Sequence, residues 1–303
     1  MKKIVIAGGS GFLGTSFHKF AEREGWEVIV LTRNPRQSNE IKWDARSIGK
    51  WTSHLVDATA VINFTGRSVN CIYNEENRRD IVNSRIESVR IIDQAIELIS
   101  EDKRPKVVIQ AASLAIFGDT KELCDEDAQH GEGFSVEVCE SWEREFYSKT
   151  IPGVRKCLLR IGFALGPNGG ALEPLRNLTR FFLGGTVGPG DQFISWLHVE
   201  DLNRMILRCI EDSSLEGTFN ATGPYPVTNR EFMKAMRQAM HRPWSPPAPS
   251  LVVKIGARLV LRTESSLALT GRNCIPKRFQ KAGFDFKHTD LASTLQSILD
   301  QWG

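Results

Sequence analysis

The chain has 303 residues, a mass of 34.0 kDa and a formal net charge of +3 at pH 7. Hydrophobic residues make up 41% of it and charged residues 25%, a globular composition that excludes a disordered, collagen-like or coiled-coil chain. The small positive surplus gives no reason to expect a nucleic acid or a membrane as partner.

The six cysteines lie far apart in the sequence, and none belongs to a Cys-x-x-Cys pair. No Cys/His cluster has the spacing of metal ligands, so no metal site is predicted. The chain has no apolar run of about 18 residues, the length that would suggest a transmembrane helix. Dispersed cysteines without a signal-peptide pattern favour a cytoplasmic location.

Strand-like and helix-like segments alternate along the first two thirds of the chain. Continuous apolar runs such as Val28–Leu31 are typical of strands buried on both faces, as in a parallel sheet covered by helices. The predicted strands are 3–7, 27–32, 60–63, 106–111 and 156–161, and the predicted helices run from the glycines at 8–14 to about 24, then over 78–99, 134–149 and 201–211. This order predicts an α/β fold with a doubly wound parallel sheet.

Glycine and proline become frequent after about residue 166, and a second proline-rich stretch covers 242–250. These segments indicate loops and a domain boundary. We predict one domain over 1–165, to which segments of about 190–220 return, and a smaller lobe over 166–303.

The last fifty residues are basic, with eight lysines and arginines against four acidic residues. A solvated helical face and a contribution to a pocket for an anionic ligand are both open interpretations of this segment. The eight basic residues are Lys254, Arg258, Arg262, Arg272, Lys277, Arg278, Lys281 and Lys287.

A G-x-x-G-x-x-G motif follows the first predicted strand and opens the first predicted helix. Glycines there permit a tight turn, close approach of the backbone to a pyrophosphate, and packing of the helix against the strand, while free amides at the helix N-terminus bind the anion. The alternative is a structural turn without a ligand. The residues predicted to contact a dinucleotide on this loop are Gly8, Ser10, Gly11, Phe12, Leu13 and Gly14.

The end of the second strand predicts which dinucleotide is bound. NAD-binding proteins place an acidic residue there for the adenosine ribose, whereas this chain has Thr32 and Arg33. A guanidinium binds a 2′-phosphate that a carboxylate would repel, so NADP(H) is the predicted cofactor. The alternative is that Arg33 is an ordinary surface arginine.

The sequence resembles the extended short-chain dehydrogenase/reductases, and among them an atypical sugar-nucleotide-epimerase-like family with a C-terminal domain of its own, here at about 247–300. The resemblance rests on stretches along the whole chain, among them GGSGFLG (8–14), LTRNP (31–35), INFTG (62–66), IVNSR (81–85), LLRIGFALGPNGGAL (158–172), GPGDQFISWLHVEDL (188–202), FNATGPYPVTNREF (219–232) and LTGRNCIPKRFQKAGFDF (269–286). It implies a Rossmann-like, NADP(H)-binding domain with a smaller substrate lobe.

The resemblance also implies roles for single residues. Thr32 and Arg33 would contact the adenosine 2′-phosphate, and Phe64 and Thr65 would line the cofactor. Further positions that the family brings to the cofactor pocket are Asp80, Arg85 and Arg160. Asp80 and Arg85 could instead form solvent-exposed pairs on a helix, whereas Arg160 ends an apolar strand, where a buried guanidinium needs a partner.

The catalytic pair of the larger group is missing. Its enzymes use Tyr-x-x-x-Lys, but none of the three tyrosines has a lysine four residues later, and alignment of the helix puts Ser135 and Cys139 at these positions. Ser113 matches the catalytic serine of the group, although a serine at a strand end also satisfies backbone groups. The remaining candidates for an acid or base are Asp119, Glu137, Cys139 and His198, of which His198 is interpreted as structural.

Two functions follow from these observations. The favoured one is an NADP(H)-dependent oxidoreductase or epimerase-like enzyme whose small-molecule substrate is unidentified, is expected to be anionic and could be a nucleotide sugar. The other is a non-catalytic NADP(H)-binding sensor, which the loss of Tyr-x-x-x-Lys favours. A homodimer formed through the helix at 78–99 is a further expectation.

Overall fold

A computed structural model describes residues 2–167, 169–242, 244–249, 264 and 269–302. The strands are β1 Lys3–Ala7, β2 Glu27–Thr32, β3 Glu40–Lys42, β4 Ala60–Asn63, β5 Val107–Ser113, β6 Leu123–Cys124, β7 Arg155–Ile161, β8 Phe163–Leu165, β9 Phe193–Ile194, β10 Trp196–His198, β11 Gly217–Ala221, β12 Val227–Thr228 and β13 Asn273–Cys274. The α-helices are α1 Phe12–Arg23, α2 Glu75–Glu97, α3 Phe134–Tyr147, α4 Leu172–Arg180, α5 Val199–Glu211, α6 Asn229–Ala239, α7 Lys277–Lys281 and α8 Leu291–Asp300.

Seven strands form one parallel sheet in the order β3-β2-β1-β4-β5-β7-β11. Successive residues of β1 point to opposite faces: Ile4 and Ile6 pack with α1 and α5, and Val5 packs with α2 and α3. Both faces are therefore buried, which explains the continuous apolar runs of the strands. The predicted α/β fold with a Rossmann-like, doubly wound parallel sheet is confirmed.

The strand order reverses between β1 and β4. From β1 the chain moves outward to β2 and β3, whereas β4 lies on the other side of β1 and leads to β5 and β7. The carboxyl ends of β1 and β4 border the crevice at which open parallel sheets bind their ligands. The glycine turn after β1 and the segment after β4 lie at this switch point.

Residues after 166 contribute to both parts of the molecule. β11 completes the large sheet, and α5 packs on one face of it. Phe279 of α7 packs on Phe219 of β11 with ring centroids 5.0 Å apart. α6 and α8 form a separate core around Phe232 and Leu295. The smaller lobe is thus built mainly from α6, α8 and short strand pairs, and the proposed boundary at 165/166 stays a prediction.

The apolar side of α2 is buried within the chain. Val89, Ile92 and Ile96 pack with α3 and the large sheet. A homodimer through this helix stays a prediction. No helix in the described part of the chain combines the length and apolar character needed to cross a membrane.

Candidate active site

The glycine turn after β1 owes its shape to two close approaches, at Gly8 and Gly14. Gly8 has a φ of +73°, which favours glycine, and a Cβ there would lie 2.9 Å from the amide nitrogen of Thr65. A Cβ on Gly14 would lie 2.5 Å from the Cα of Gly9, so α1 packs directly on the turn. At Gly11 the nearest atom would be 3.7 Å away, an ordinary contact. Gly8 and Gly14 are therefore required by the fold, whereas Gly11 leaves open space.

This open space faces polar groups that the protein does not satisfy. α1 begins at Phe12 after Gly11, and no side chain caps it, so the amides of its first turn lack acceptors within the helix. The buried hydroxyl of Thr65 has no hydrogen-bond partner in the part of the chain that the structure describes. The hydroxyls of Ser10 and Thr32 lie 3.4 Å apart across the turn. Free amides, an unpaired hydroxyl and a glycine without a contact fit the pyrophosphate of a dinucleotide.

The end of β2 presents a cation beside this turn. Thr32 is buried and accepts the backbone N–H of Trp43 at 3.1 Å, which fixes the strand end. Arg33 is exposed and forms no ion pair with any carboxylate of the described residues. Its guanidinium is thus available to an external anion, as the predicted 2′-phosphate contact requires.

The segment after β4 lines the same crevice. Phe64 donates its backbone N–H to Ala7 at 2.9 Å, and the amide of Thr65 donates to the side chain of Asn63 at 2.9 Å. These bonds hold both residues against the end of β1. The predicted contacts of Phe64 and Thr65 with a cofactor are compatible with this position and stay predictions.

Asp80 and Arg85 occupy different surroundings on α2. The carboxylate of Asp80 pairs with Arg67 at the partly exposed start of the helix. Arg85 is largely buried, its guanidinium stacks on Trp142 at 4.9 Å, and a Cβ on Gly66 would lie 3.2 Å from its central carbon. Arg85 therefore lies between the end of β4 and α3, while Asp80 is engaged by a surface partner.

Arg160 in β7 is bound within the protein. Its guanidinium makes a two-point ion pair with Glu143 of α3, both distances being 2.9 Å, and donates to the backbone carbonyl of Glu126 at 3.1 Å. It also contacts a ring nitrogen of His130 at 3.3 Å and stacks on Phe117. The partner that a buried guanidinium needs is thus supplied by protein groups, and the cofactor contact implied for Arg160 stays a prediction.

Ser113 ends β5 next to the N-terminal half of α3. Its Oγ accepts the N–H of Ala115 at 3.1 Å, which leaves the hydroxyl hydrogen free to be donated. Cys139 packs against the turn that follows Ser113, and Ser135 precedes it by one turn of the same helix. Burial raises the pKa of the Cys139 thiol to about 12, so this residue is not a base at neutral pH.

Tyr73, which sequence reasoning passed over, reaches the place of the missing tyrosine. It comes from the loop before α2, and its ring meets Phe134 edge-on with centroids 5.0 Å apart. Burial raises the pKa of Tyr73, while an interaction with the Ser135 hydroxyl and the charge of Arg85 lower it. A phenol that stays protonated at this position can act as a proton donor.

The other acid–base candidates are less well placed. The carboxylate of Asp119 accepts the N–H of Gly271 at 2.8 Å, and Glu137 is exposed on α3. His198 caps α5, where its Nδ1 accepts the N–H of Glu200 at 3.1 Å. These contacts give Asp119 and His198 structural roles.

Three side chains of types that can bind a metal ion lie close together, although no metal site was predicted from the sequence. Ligand atoms of His198, Glu200 and His288 all lie within 4.8 Å of one another. Lys287 donates to one oxygen of Glu200 at 2.7 Å and His288 contacts the other at 3.1 Å. Both carboxylate oxygens and Nδ1 of His198 are therefore engaged by protein groups.

His198 makes folding stability depend on pH. Burial, reinforced by the nearby His288, lowers its pKa from 6.5 to about 4, so the unfolded chain binds a proton more readily than the folded one. Stability from this group is complete above pH 6.5 and is lost as the pH falls toward 4. We expect the unfolding free energy to drop by about 2 kcal/mol between pH 7.5 and 5, measured by urea unfolding. His198→Gln should flatten this slope, whereas the exposed-site control His241→Gln should not.

The basic residues of the C-terminal segment differ in their surroundings, so some fit a solvated face and others a position near the site. Lys277, Arg278 and Lys287 form ion pairs with Asp125, Asp127 and Glu200, so they bind this segment to the rest of the chain. Arg272 is instead partly buried and acts on the nearby Cys139 of α3. Lys254, Arg258 and Arg262 lie outside the described residues, as does most of the first part of the family domain predicted at 247–300.

A parallel sheet in this order with an uncapped glycine turn at its switch point defines a Rossmann-like α/β protein. The sequence profile of the NAD dependent epimerase/dehydratase family matches residues 4–222, and that of a Domain of unknown function, DUF1731, matches residues 248–298. The chain therefore belongs to the NAD dependent epimerase/dehydratase family, which confirms the resemblance to an atypical extended short-chain dehydrogenase/reductase.

Relatives cover the whole chain. It is 30% identical to the Epimerase family protein YfhF of Bacillus subtilis, over 98% of this chain and 97% of the relative. It is 28% identical to the chloroplastic Epimerase family protein SDR39U1 homolog of Arabidopsis thaliana, over 98% and 86%. The crystal structure of human epimerase family protein SDR39U1 with NADPH superposes with a TM-score of 0.88 at 26% identity, over 98% of this chain and 99% of that one.

Proposed function

We propose that this protein binds NADP(H) and acts as an oxidoreductase or epimerase-like enzyme on a small molecule with a hydroxyl or carbonyl group. The observation that carries the proposal is the uncapped start of α1 at the open position of Gly11, together with the Thr65 hydroxyl beside Gly8 and the exposed Arg33 at the end of the neighbouring strand β2. The human relative solved with NADPH supports the choice of cofactor.

The chain's own groups suit this chemistry. The α1 amides would hold the pyrophosphate and Arg33 the 2′-phosphate, while the bound cofactor supplies a hydride. Ser113 keeps a free hydroxyl hydrogen with which to orient the substrate oxygen. Tyr73, whose phenol is protonated at neutral pH and which lies beside Ser135 of α3, is the proton donor in the direction of carbonyl reduction.

Arg33→Ala tests the cofactor. We expect it to weaken NADPH binding about tenfold or more, equivalent to about 1.4 kcal/mol, and to leave NADH binding nearly unchanged, because only NADPH carries the 2′-phosphate. Calorimetric titration of cofactor-stripped protein with both nucleotides measures this. Arg36→Ala, at another exposed arginine of the same loop, is the matched control. Failure of the wild type to bind either nucleotide would end the proposal.

Turnover separates the enzyme from the sensor. NADPH oxidation, followed by absorbance, would be screened against aldehydes and ketones with and without anionic groups. Once a substrate is found, Ser113→Ala and Tyr73→Phe should each lower the rate about tenfold or more and keep NADPH affinity, because each removes a group that faces the substrate oxygen. Tight NADPH binding without turnover of any screened compound would favour the non-catalytic sensor, whereas turnover at the same rate in both variants would remove Ser113 and Tyr73 from the chemistry.

A further inference from the structure

Two partly buried guanidinium groups lie beside α3. Arg85 of α2 stacks on Trp142 of α3 at 4.9 Å, and Arg272 immediately precedes β13, whose Cys274 packs with Cys139 of α3. Both guanidinium groups lie close enough to the Cys139 thiol to oppose the effect of burial on its pKa, and Arg85 also lowers the pKa of Tyr73. The two arginines, Cys139 and Tyr73 therefore share one region of the site.

Neither arginine forms an ion pair with a carboxylate of the described residues. Nη1 of Arg85 donates to the backbone carbonyls of Ile81 at 2.9 Å and Arg67 at 3.1 Å. Arg272 donates from Nη2 to Thr270 at 3.4 Å, and its Nε is buried without a hydrogen-bond partner among the described residues. Arg160 shows the contrast, since Glu143 neutralises its charge through two hydrogen bonds.

The acidic groups nearby offset the positive charge only in part. Glu143 is engaged by Arg160. Asp119 raises the pKa of Arg272 through its charge but hydrogen-bonds to the N–H of Gly271 and forms no ion pair with Arg272, and the charge of Glu264 acts on Tyr73. Cys139 stays a neutral thiol, because burial raises its pKa to about 12. Burial also lowers the pKa of both Arg85 and Arg272. The free protein thus holds two cations in a poorly solvated region, an arrangement that costs folding energy unless an anion binds there.

We propose that Arg85 and Arg272 form a subsite for the anionic group of the substrate, a carboxylate or a phosphate, beside Ser113 and Tyr73. This assignment rests on the proposed function for the identity of the anion as part of a substrate. Arg272 comes from outside the nucleotide-binding turn, and the amides of α1 already offer a place for the cofactor pyrophosphate. The pair therefore selects the substrate.

The test is calorimetric titration of two anions, malonate as a carboxylate and inorganic phosphate, into cofactor-free and NADPH-saturated protein at low ionic strength. Arg85→Met and Arg272→Met should each weaken binding of the preferred anion about tenfold or more and leave NADPH affinity within about twofold. Arg90→Met is the matched control, because Arg90 lies on the same helix but is exposed and paired with Glu145. It should change neither affinity.

Thermal unfolding gives a second readout, which distinguishes an arginine that binds a ligand from one that only stabilises the fold. Removal of an uncompensated buried charge should leave Arg272→Met at least as stable as the wild type in anion-free buffer, and added anion should no longer raise its Tm. A clear loss of Tm in anion-free buffer would make Arg272 structural and overturn the proposal.

The remaining outcomes are also decisive. Absence of anion binding to the wild type, or unchanged binding in both variants, overturns the subsite. A tenfold or greater loss of NADPH affinity in Arg85→Met would assign Arg85 to the cofactor, as the family resemblance implies, and overturn the pair. Because the anions are also titrated without NADPH, a protein that binds the anion but no nucleotide would refute the proposed function while supporting the anion subsite.

Discussion

Gly11→Ala should weaken NADPH binding about a hundredfold or more and leave the fold intact. The position has a φ of −80°, which alanine adopts without strain, and a Cβ there would meet no protein atom closer than 3.7 Å. The methyl group would instead occupy the space in which we place the pyrophosphate. Calorimetry with NADPH and thermal unfolding of the same samples measure both effects.

Gly14→Ala is the matched contrast. Its Cβ would lie 2.5 Å from the Cα of Gly9, so α1 has to move away from the turn at a cost of about 3 kcal/mol. This variant should lose stability as well as binding. If Gly11→Ala bound NADPH like the wild type, the pyrophosphate would not lie at Gly11 and its placement against the start of α1 would be refuted.

The strength of the apolar pattern explains which strands and helices could be predicted from the sequence. Strands β1, β2 and β4 are continuous apolar runs, and their predicted bounds agree with the structure. The three residues of β3, Glu-Ile-Lys, and the Gly-Thr-Phe-Asn-Ala stretch of β11 carry too weak a pattern, because both strands lie at edges of the sheet and are formed by pairing with a neighbour. α6 and α8 were missed although their apolar faces pack together.

The residues of the candidate site also differ in whether the sequence alone could predict them. Gly8, Gly11, Gly14 and Arg33 are local to one strand–turn–helix–strand unit, so their spacing was enough to predict them. Tyr73 and Arg272 come from distant loops, and only the folded chain brings them to α3. The scarcity of tyrosines was the one available signal for Tyr73. For Arg160 the sequence indicated a buried cation, but could not identify Glu143 as its partner.

Glu143→Ala should reduce the free energy of unfolding by about 3–5 kcal/mol, because it leaves the guanidinium of Arg160 buried without its counter-charge. Both partners are buried, and the two 2.9 Å hydrogen bonds tie α3 to β7 near the end of the sheet. Urea unfolding at pH 7.5 measures the loss. Glu145→Ala is the control on the same helix as Glu143. It breaks the more exposed ion pair between Glu145 and Arg90 of α2 and should cost about 1 kcal/mol or less.

The double variant Arg160→Met/Glu143→Leu separates structure from ligand binding. Replacement of both charges by apolar groups should recover most of the stability lost in Glu143→Ala, because no unpaired charge stays in the interior. NADPH affinity close to that of the wild type in the refolded double variant would mean that the ion pair only joins α3 to the sheet. A tenfold loss of NADPH affinity at recovered stability would instead restore Arg160 to the cofactor pocket, since its charge would then act on a ligand as well as on Glu143.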